Sequence, residues 1–116
     1  MLILFGIPNC NTVKKAREWL DSNDVNYMFH DFKKQEIDAE TLQTWLTQQP
    51  WEKLVNRAGL TWRGLDDATK SSVNDNASAV ALMQTKTSVI KRPVLVKDSN
   101  ILALGFNETE YQALLK

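Results

Sequence analysis

The chain has 116 residues, 43% of them hydrophobic, and its 14 basic residues balance 14 acidic ones to a formal net charge of zero. That length fits one domain with a sizeable core, and balanced charge without a long like-charge run argues against electrostatic binding of nucleic acid. A single cysteine and a single histidine exclude an intramolecular disulfide and a CxxC pair, offer no metal-ligand cluster, and fit a reducing compartment.

From the N-terminus, the apolar run Leu2-Ile3-Leu4-Phe5 reads as a strand. It is too short for a membrane span and lacks the basic residues that precede a signal sequence, so the expected location is cytoplasmic. Gly6 and Pro8 break it. Val13, Ala16 and Leu20 then recur at helical spacing, predicting a helix from 11 or 12 to 20 or 21 that Ser22-Asn23-Asp24 ends. Residues 25–32 alternate, with Tyr27 and Phe29 on one face, and predict a second strand closed by His30 and Asp31. Strand, helix, strand suggests a parallel βαβ unit with a right-handed crossover. His30 reads as a structural or surface residue, since its position gives no ground for pairing it with the cysteine as a base.

Lys33-Lys34-Gln35 reads as a basic linker. Asp38 is placed to cap a helix and Ile37 and Leu42 to staple it, and Leu42, Trp45, Leu46 and Gln49 recur at helical spacing until Pro50 stops it, with Trp45 read as core. A short helix is expected at 51–56, delivering Arg57 just before Ala58-Gly59. Gly64 and the polar residues 66–76 read as loop with a helical turn or two. Ala77, Val80, Ala81 and Met83 predict another helix starting at Asp75 or Asn76. Val94-Leu95-Val96 and Ile101-Leu102-Ala103-Leu104, separated by Lys97-Asp98-Ser99-Asn100, predict a hairpin. Asn107-Glu108-Thr109-Glu110 reads as a capping box, with Phe106 and Tyr111 as its staple, opening a last helix to Leu115. The sum is an α/β chain with a four-stranded mixed sheet and an all-helical stretch between two pairs of strands.

Cys10 sits where the first strand gives way to the first helix. A thiol there faces unpaired backbone N–H groups and the positive end of the macrodipole, with Lys14, Lys15 and Arg17 close in sequence. These influences can bring a thiol pKa from ~8.5 into the range of roughly 3.5–7.5 found for activated cysteines. A lone cysteine is otherwise most often a small buried hydrophobe. The Gly/Pro turn before Cys10 and the basic helix after it favour the reactive reading.

The block Gly6-Ile7-Pro8-Asn9-Cys10-Asn11-Thr12-Val13-Lys14-Lys15-Ala16, followed by Asn56-Arg57-Ala58-Gly59-Leu60-Thr61-Trp62-Arg63 and then Ile90-Lys91-Arg92-Pro93-Val94-Leu95-Val96, resembles the ArsC/Spx family of thioredoxin-like proteins. Within it the likeness is to the small YffB-like branch, and it covers nearly the whole chain. It implies a single ArsC-like domain of thioredoxin-like fold, with sheet-forming halves at about 1–34 and 89–116 and a helical insertion at about 35–88. It also implies a cis bond between Arg92 and Pro93, facing the cysteine loop. Arg92 would then lie near Cys10, its planar fork suited to a carboxylate or an oxyanion. Arg57 is the second anion-contacting arginine by motif position, with Arg63 as the alternative.

The pattern departs from the arsenate reductases proper. They carry a histidine four residues before the cysteine, where this chain has Gly6, and a further arginine near the last strand, where it has Leu104-Gly105-Phe106. What remains suits a glutathione-dependent thiol reductase. Cys10 attacks a disulfide or oxidised sulfur, a mixed disulfide forms, and external glutathione resolves it because no second cysteine exists. In this reading Lys14 supports the thiolate, Asn11 and Thr12 offer helix-start N–H groups to the incoming anion, and Arg92, Arg57 and Pro93 form the glutathione site. No bound cofactor is expected; glutathione is the co-substrate, and glutaredoxin or an oxidised thiol substrate is the candidate partner, with neither nucleic acid nor membrane involved directly. Two alternatives stay open: arsenate reduction fed by glutathione or glutaredoxin, and a non-enzymatic, Spx-like role in binding RNA polymerase.

Overall fold

In the computed structural model, which describes residues 1–116, the N-terminal apolar run forms β1 (Leu2–Gly6), followed by α1 (Asn11–Ser22), β2 (Met28–Asp31) and a single helical turn, α2 (Phe32–Gln35). Five helices come next: α3 (Ala39–Leu46), α4 (Trp51–Leu54), α5 (Leu60–Arg63), α6 (Asp67–Ser72) and α7 (Asn76–Thr85), closed by a 3₁₀ turn at Thr87–Val89. The chain ends with β3 (Val94–Lys97), β4 (Asn100–Leu104) and α8 (Glu108–Leu115). It divides into two units, Met1–Gln35 with Arg92–Lys116, and Glu36–Lys91. No helix is long and apolar enough to cross a membrane.

The first unit is built on a sheet of order β2-β1-β3-β4. β1 pairs with β2 in parallel, from Ile3 opposite Met28 to Gly6 opposite Asp31, and with β3 antiparallel, from Leu2 opposite Lys97 to Phe5 opposite Val94. The expected four-stranded mixed sheet is therefore present. Leu2, Leu4, Leu95 and Ala103 of the sheet pack with Ala16, Trp19 and Leu20 of α1 and Tyr111 of α8 in one buried cluster. The 3.6-residue spacing of the α1 residues is what turns that stripe onto the sheet. Phe106 and Tyr111, the expected staple, meet edge to face at 4.8 Å, and Tyr111 meets Trp19 the same way at 5.7 Å. Asn107 caps α8 by accepting the Glu110 N–H at 2.9 Å.

The second strand is shorter than the 25–32 expected from alternation. Asp24 adopts a left-handed φ of 55°, the Val25 N–H bonds back to the Leu20 carbonyl, and the Asp24 N–H bonds to that of Asp21. These are the paired bonds of a Schellman motif, so Val25 finishes α1 and cannot begin a ladder. At the other end Asp31 accepts the Lys33 N–H at 2.8 Å while its own N–H donates to Gln35 Oε1 at 3.1 Å. That exchange starts α2 where a basic linker was expected. In the C-terminal hairpin, Lys97 pairs with Asn100 across Asp98 and Ser99, both left-handed at φ 50° and 70°. Two positive φ values in a two-residue loop are the type I′ geometry that matches strand twist.

In the second unit, α3 packs against α7. Asp38 caps α3 through the Thr41 N–H at 2.7 Å, and Asp75 caps α7 in a reciprocal box with Ser78. α3 stops at Leu46, short of Pro50, so Gln49 lies outside it. The helical turn or two expected within residues 66–76 is α6, capped by Asp66 through the Thr69 N–H at 2.7 Å. Gln84 Nε2 donates to the Ile37 carbonyl at 3.1 Å, and a bridge between Val55 and Ile90 is flanked by Asn56 N–H to Val89 O and Lys91 N–H to Leu54 O, each 2.7 Å. Trp45 is buried at 1% exposure, the core role expected of it.

Candidate active site

β1 ends at Gly6, one residue past Phe5, whose partner across the antiparallel pair, Val94, opens β3. The residues just before β3 therefore stand beside the loop that leaves β1, and this is what brings Arg92 to Cys10. The Arg92-Pro93 bond is cis, as the resemblance implied. Pro93 is buried, and its carbonyl accepts the Gly105 N–H at 2.8 Å.

Cys10 is the N-cap of α1, with extended φ and ψ of −145° and 123°, and its carbonyl takes the first helical hydrogen bond from the Lys14 N–H at 2.9 Å. The thiol is partly exposed. Burial pushes its pKa up and is the largest single influence, but the Val13 amide, the Arg92 guanidinium as hydrogen-bond donor and as charge, and the Thr12 amide together outweigh it, leaving the pKa below the ordinary thiol value. Sγ makes no bond of regular capping geometry. The two amides favour the thiolate as nearby oriented dipoles.

The structure thus gathers Cys10, Thr12 and Arg92 at one place. Val13 is an addition that sequence reasoning missed, although the signal was there: an N-cap side chain is served by the N–H groups two and three positions into the helix. Here those are Thr12 and Val13, whereas Asn11 is the first helical residue and is not among the groups that stabilise the thiolate. Lys14 is exposed and is likewise not among them. Arg57 belongs to the second unit, where it is exposed and its Cζ lies 5.5 Å from the Trp51 ring centroid. Its alternative, Arg63, is also exposed and ends α5.

A mixed sheet of this order, with the single cysteine at the start of α1 and Arg92-Pro93 just before β3, is that of a thioredoxin-like protein. More narrowly, the chain belongs to the ArsC family, whose model matches residues 5–114. It is similar to the solved structure of the YffB protein, with 44% identity, a TM-score of 0.92 and full coverage of both chains. It is also similar to an arsenate reductase (ArsC) related protein from Brucella melitensis, with 46% identity, a TM-score of 0.78 and coverage of 99% and 94%. Among curated relatives, the global transcriptional regulator Spx of Streptococcus pyogenes is 28% identical across 99% of this chain and 85% of its own length.

Proposed function

We propose that this chain is a glutathione-dependent thiol reductase with Cys10 as its nucleophile. The observation that carries the reading is a single cysteine whose thiolate is favoured by two helix-start amides and an arginine. The Cys10 thiolate attacks one sulfur of a substrate disulfide, forming a Cys10 mixed disulfide and expelling the other sulfur as a thiolate that takes up a proton. A glutathione thiolate then attacks Cys10 Sγ and releases the second substrate thiol. A second glutathione attacks the resulting Cys10–glutathione disulfide, leaving oxidised glutathione and the free Cys10 thiolate. Two glutathiones thus supply the two electrons that reduce one disulfide. Arg92 stabilises the attacking and departing Cys10 thiolate and offers its fork to a glutathione carboxylate. Arg57 is assigned to anion binding on its motif alone.

The test is to expose the protein to oxidised glutathione or a glutathionylated peptide and look for a Cys10–glutathione adduct by mass spectrometry. Turnover is then followed as oxidised glutathione is produced from a model disulfide. The reading requires an adduct that excess glutathione removes, with turnover that vanishes in Cys10→Ser. Likeness to an arsenate reductase-related protein supports a second reading, in which Cys10 attacks arsenate and thiols deliver the two electrons that take arsenic from its pentavalent to its trivalent state. Arsenite production from arsenate and glutathione would select it. If Cys10→Ser instead retains binding to RNA polymerase and neither reaction occurs, the similarity to Spx is the better guide.

A further inference from the structure

We propose that Gly6 is a positioning residue for the Cys10 thiol: its missing side chain lets Val13, in the first turn of α1, seat directly on the end of β1, and that seating sets where the helix-start amides stand relative to Sγ. A Cβ at position 6 would lie 2.9 Å from Val13 Cγ2 and 3.2 Å from Val13 Cγ1, with Phe29 Cε1 at 3.7 Å. Carbon atoms in good contact stand about 3.5–4.0 Å apart, so an added methyl demands a shift of about 0.6 Å at the closest pair. Val13 cannot supply it by rotation. A β-branched residue in a helix is stiff about χ1, and this side chain is fully buried. The shift therefore falls on the backbone of the first turn of α1. That turn holds the Thr12 and Val13 amides and has Cys10 as its N-cap. Gly6 is not among the residues of positive φ, so this position uses glycine for space rather than for an unusual backbone conformation.

The inference rests on the reading of Cys10 as a reactive thiolate and is independent of the oxidised partner it meets. The experiment follows the rate of alkylation by iodoacetamide across pH in the full chain, for wild type, Gly6→Ala and Gly6→Ala with Val13→Ala. Displacing the Thr12 and Val13 amide dipoles from the thiolate moves the Gly6→Ala midpoint up by roughly half a unit to one unit. Trimming Val13 makes room for the methyl, so the double variant returns toward the wild-type midpoint. An unchanged midpoint in folded Gly6→Ala, or a rise that the double variant does not reverse, overturns the inference. Should Gly6→Ala fail to fold, the double variant decides. It must fold with a wild-type midpoint, and either failure to fold or a displaced midpoint counts against the contact. A wild-type midpoint at the ordinary thiol value would overturn the thiolate reading, and this inference with it, before any variant is compared.

Discussion

Replacing Arg92 with leucine removes two of the influences that hold the Cys10 pKa down, a hydrogen bond and a charge, and leaves burial in place. A hydrogen bond to a charged group contributes about 1.5–3 kcal/mol. Cys10 is only partly buried, and solvent screening reduces that to about 1–1.5 kcal/mol, equivalent to about one pKa unit. The Val13 and Thr12 amides remain, so the midpoint should rise by about this amount without going further. Arg92→Lys keeps the charge and loses the planar fork, and its midpoint should fall between those of wild type and the leucine variant. Lys14→Ala should move it least, because Lys14 is exposed and is not among the groups that act on the thiol. Thiolate ultraviolet absorbance against pH measures all three, with circular dichroism confirming that each variant is folded. An Arg92→Leu midpoint equal to wild type, or a Lys14→Ala shift larger than that of Arg92→Leu, would refute the assignment of Arg92 as the side chain that stabilises the thiolate.

The same depressed pKa makes stability depend on pH. Because the folded value lies below the ordinary one, the thiolate's contribution is fully present above the ordinary thiol pKa and is lost as pH falls through the folded value. Urea midpoints of wild type and Cys10→Ser should therefore diverge as pH rises through that window. In the second unit, Asp75→Ala breaks the capping box of α7; since hydrogen bonds from the Ser78 side chain and amide depress the Asp75 pKa, the loss of thermal midpoint should be present at neutral pH and fade in acid. Tyr111 is buried and its hydroxyl donates to the Gly105 carbonyl at 3.3 Å, so Tyr111→Phe should cost about 1 kcal/mol in urea unfolding. Trp45→Ala empties a fully buried position and should cost about 3–5 kcal/mol by the same assay.

Most of the sheet was legible because its signals are local. Leu2 to Phe5 and Val94 to Val96 are apolar runs bounded by turn residues, and Asp98-Ser99 between two strands announces a tight hairpin. The caps at Asp38 and Asn107 were equally plain, since each depends on a side chain within three residues of the amide it serves. The start of β2 was not legible for the opposite reason. Val25 and Tyr27 carry strand-like side chains, but the Val25 N–H is already committed to Leu20, and alternation records where side chains point without recording which backbone groups are taken. Asp24 hid the commitment further, because its position in the helix stop is one where glycine is the usual sign.

The site divides along the same line. Cys10 was legible from a turn, a helix start and a basic neighbourhood, yet the neighbourhood suggested Lys14 while the structure places the effective charge on Arg92, 82 positions away in sequence. Nothing in the spacing of residues 10 and 92 announces that meeting. It follows from the antiparallel pairing of Phe5 with Val94, a non-local fact that the resemblance anticipated and the residues alone did not. The same pairing explains why a proline can head β3. Its carbonyl is satisfied by Gly105, and a missing N–H costs little where the ladder begins at the next residue. Three separate features of the chain, the glycine that ends β1, the helix-start amides and the arginine before β3, thus act on one sulfur. Arg92 can be replaced with the amides left in place, and Gly6→Ala displaces the amides with Arg92 left in place, and that makes the thiolate reading separable from the question of what it reduces.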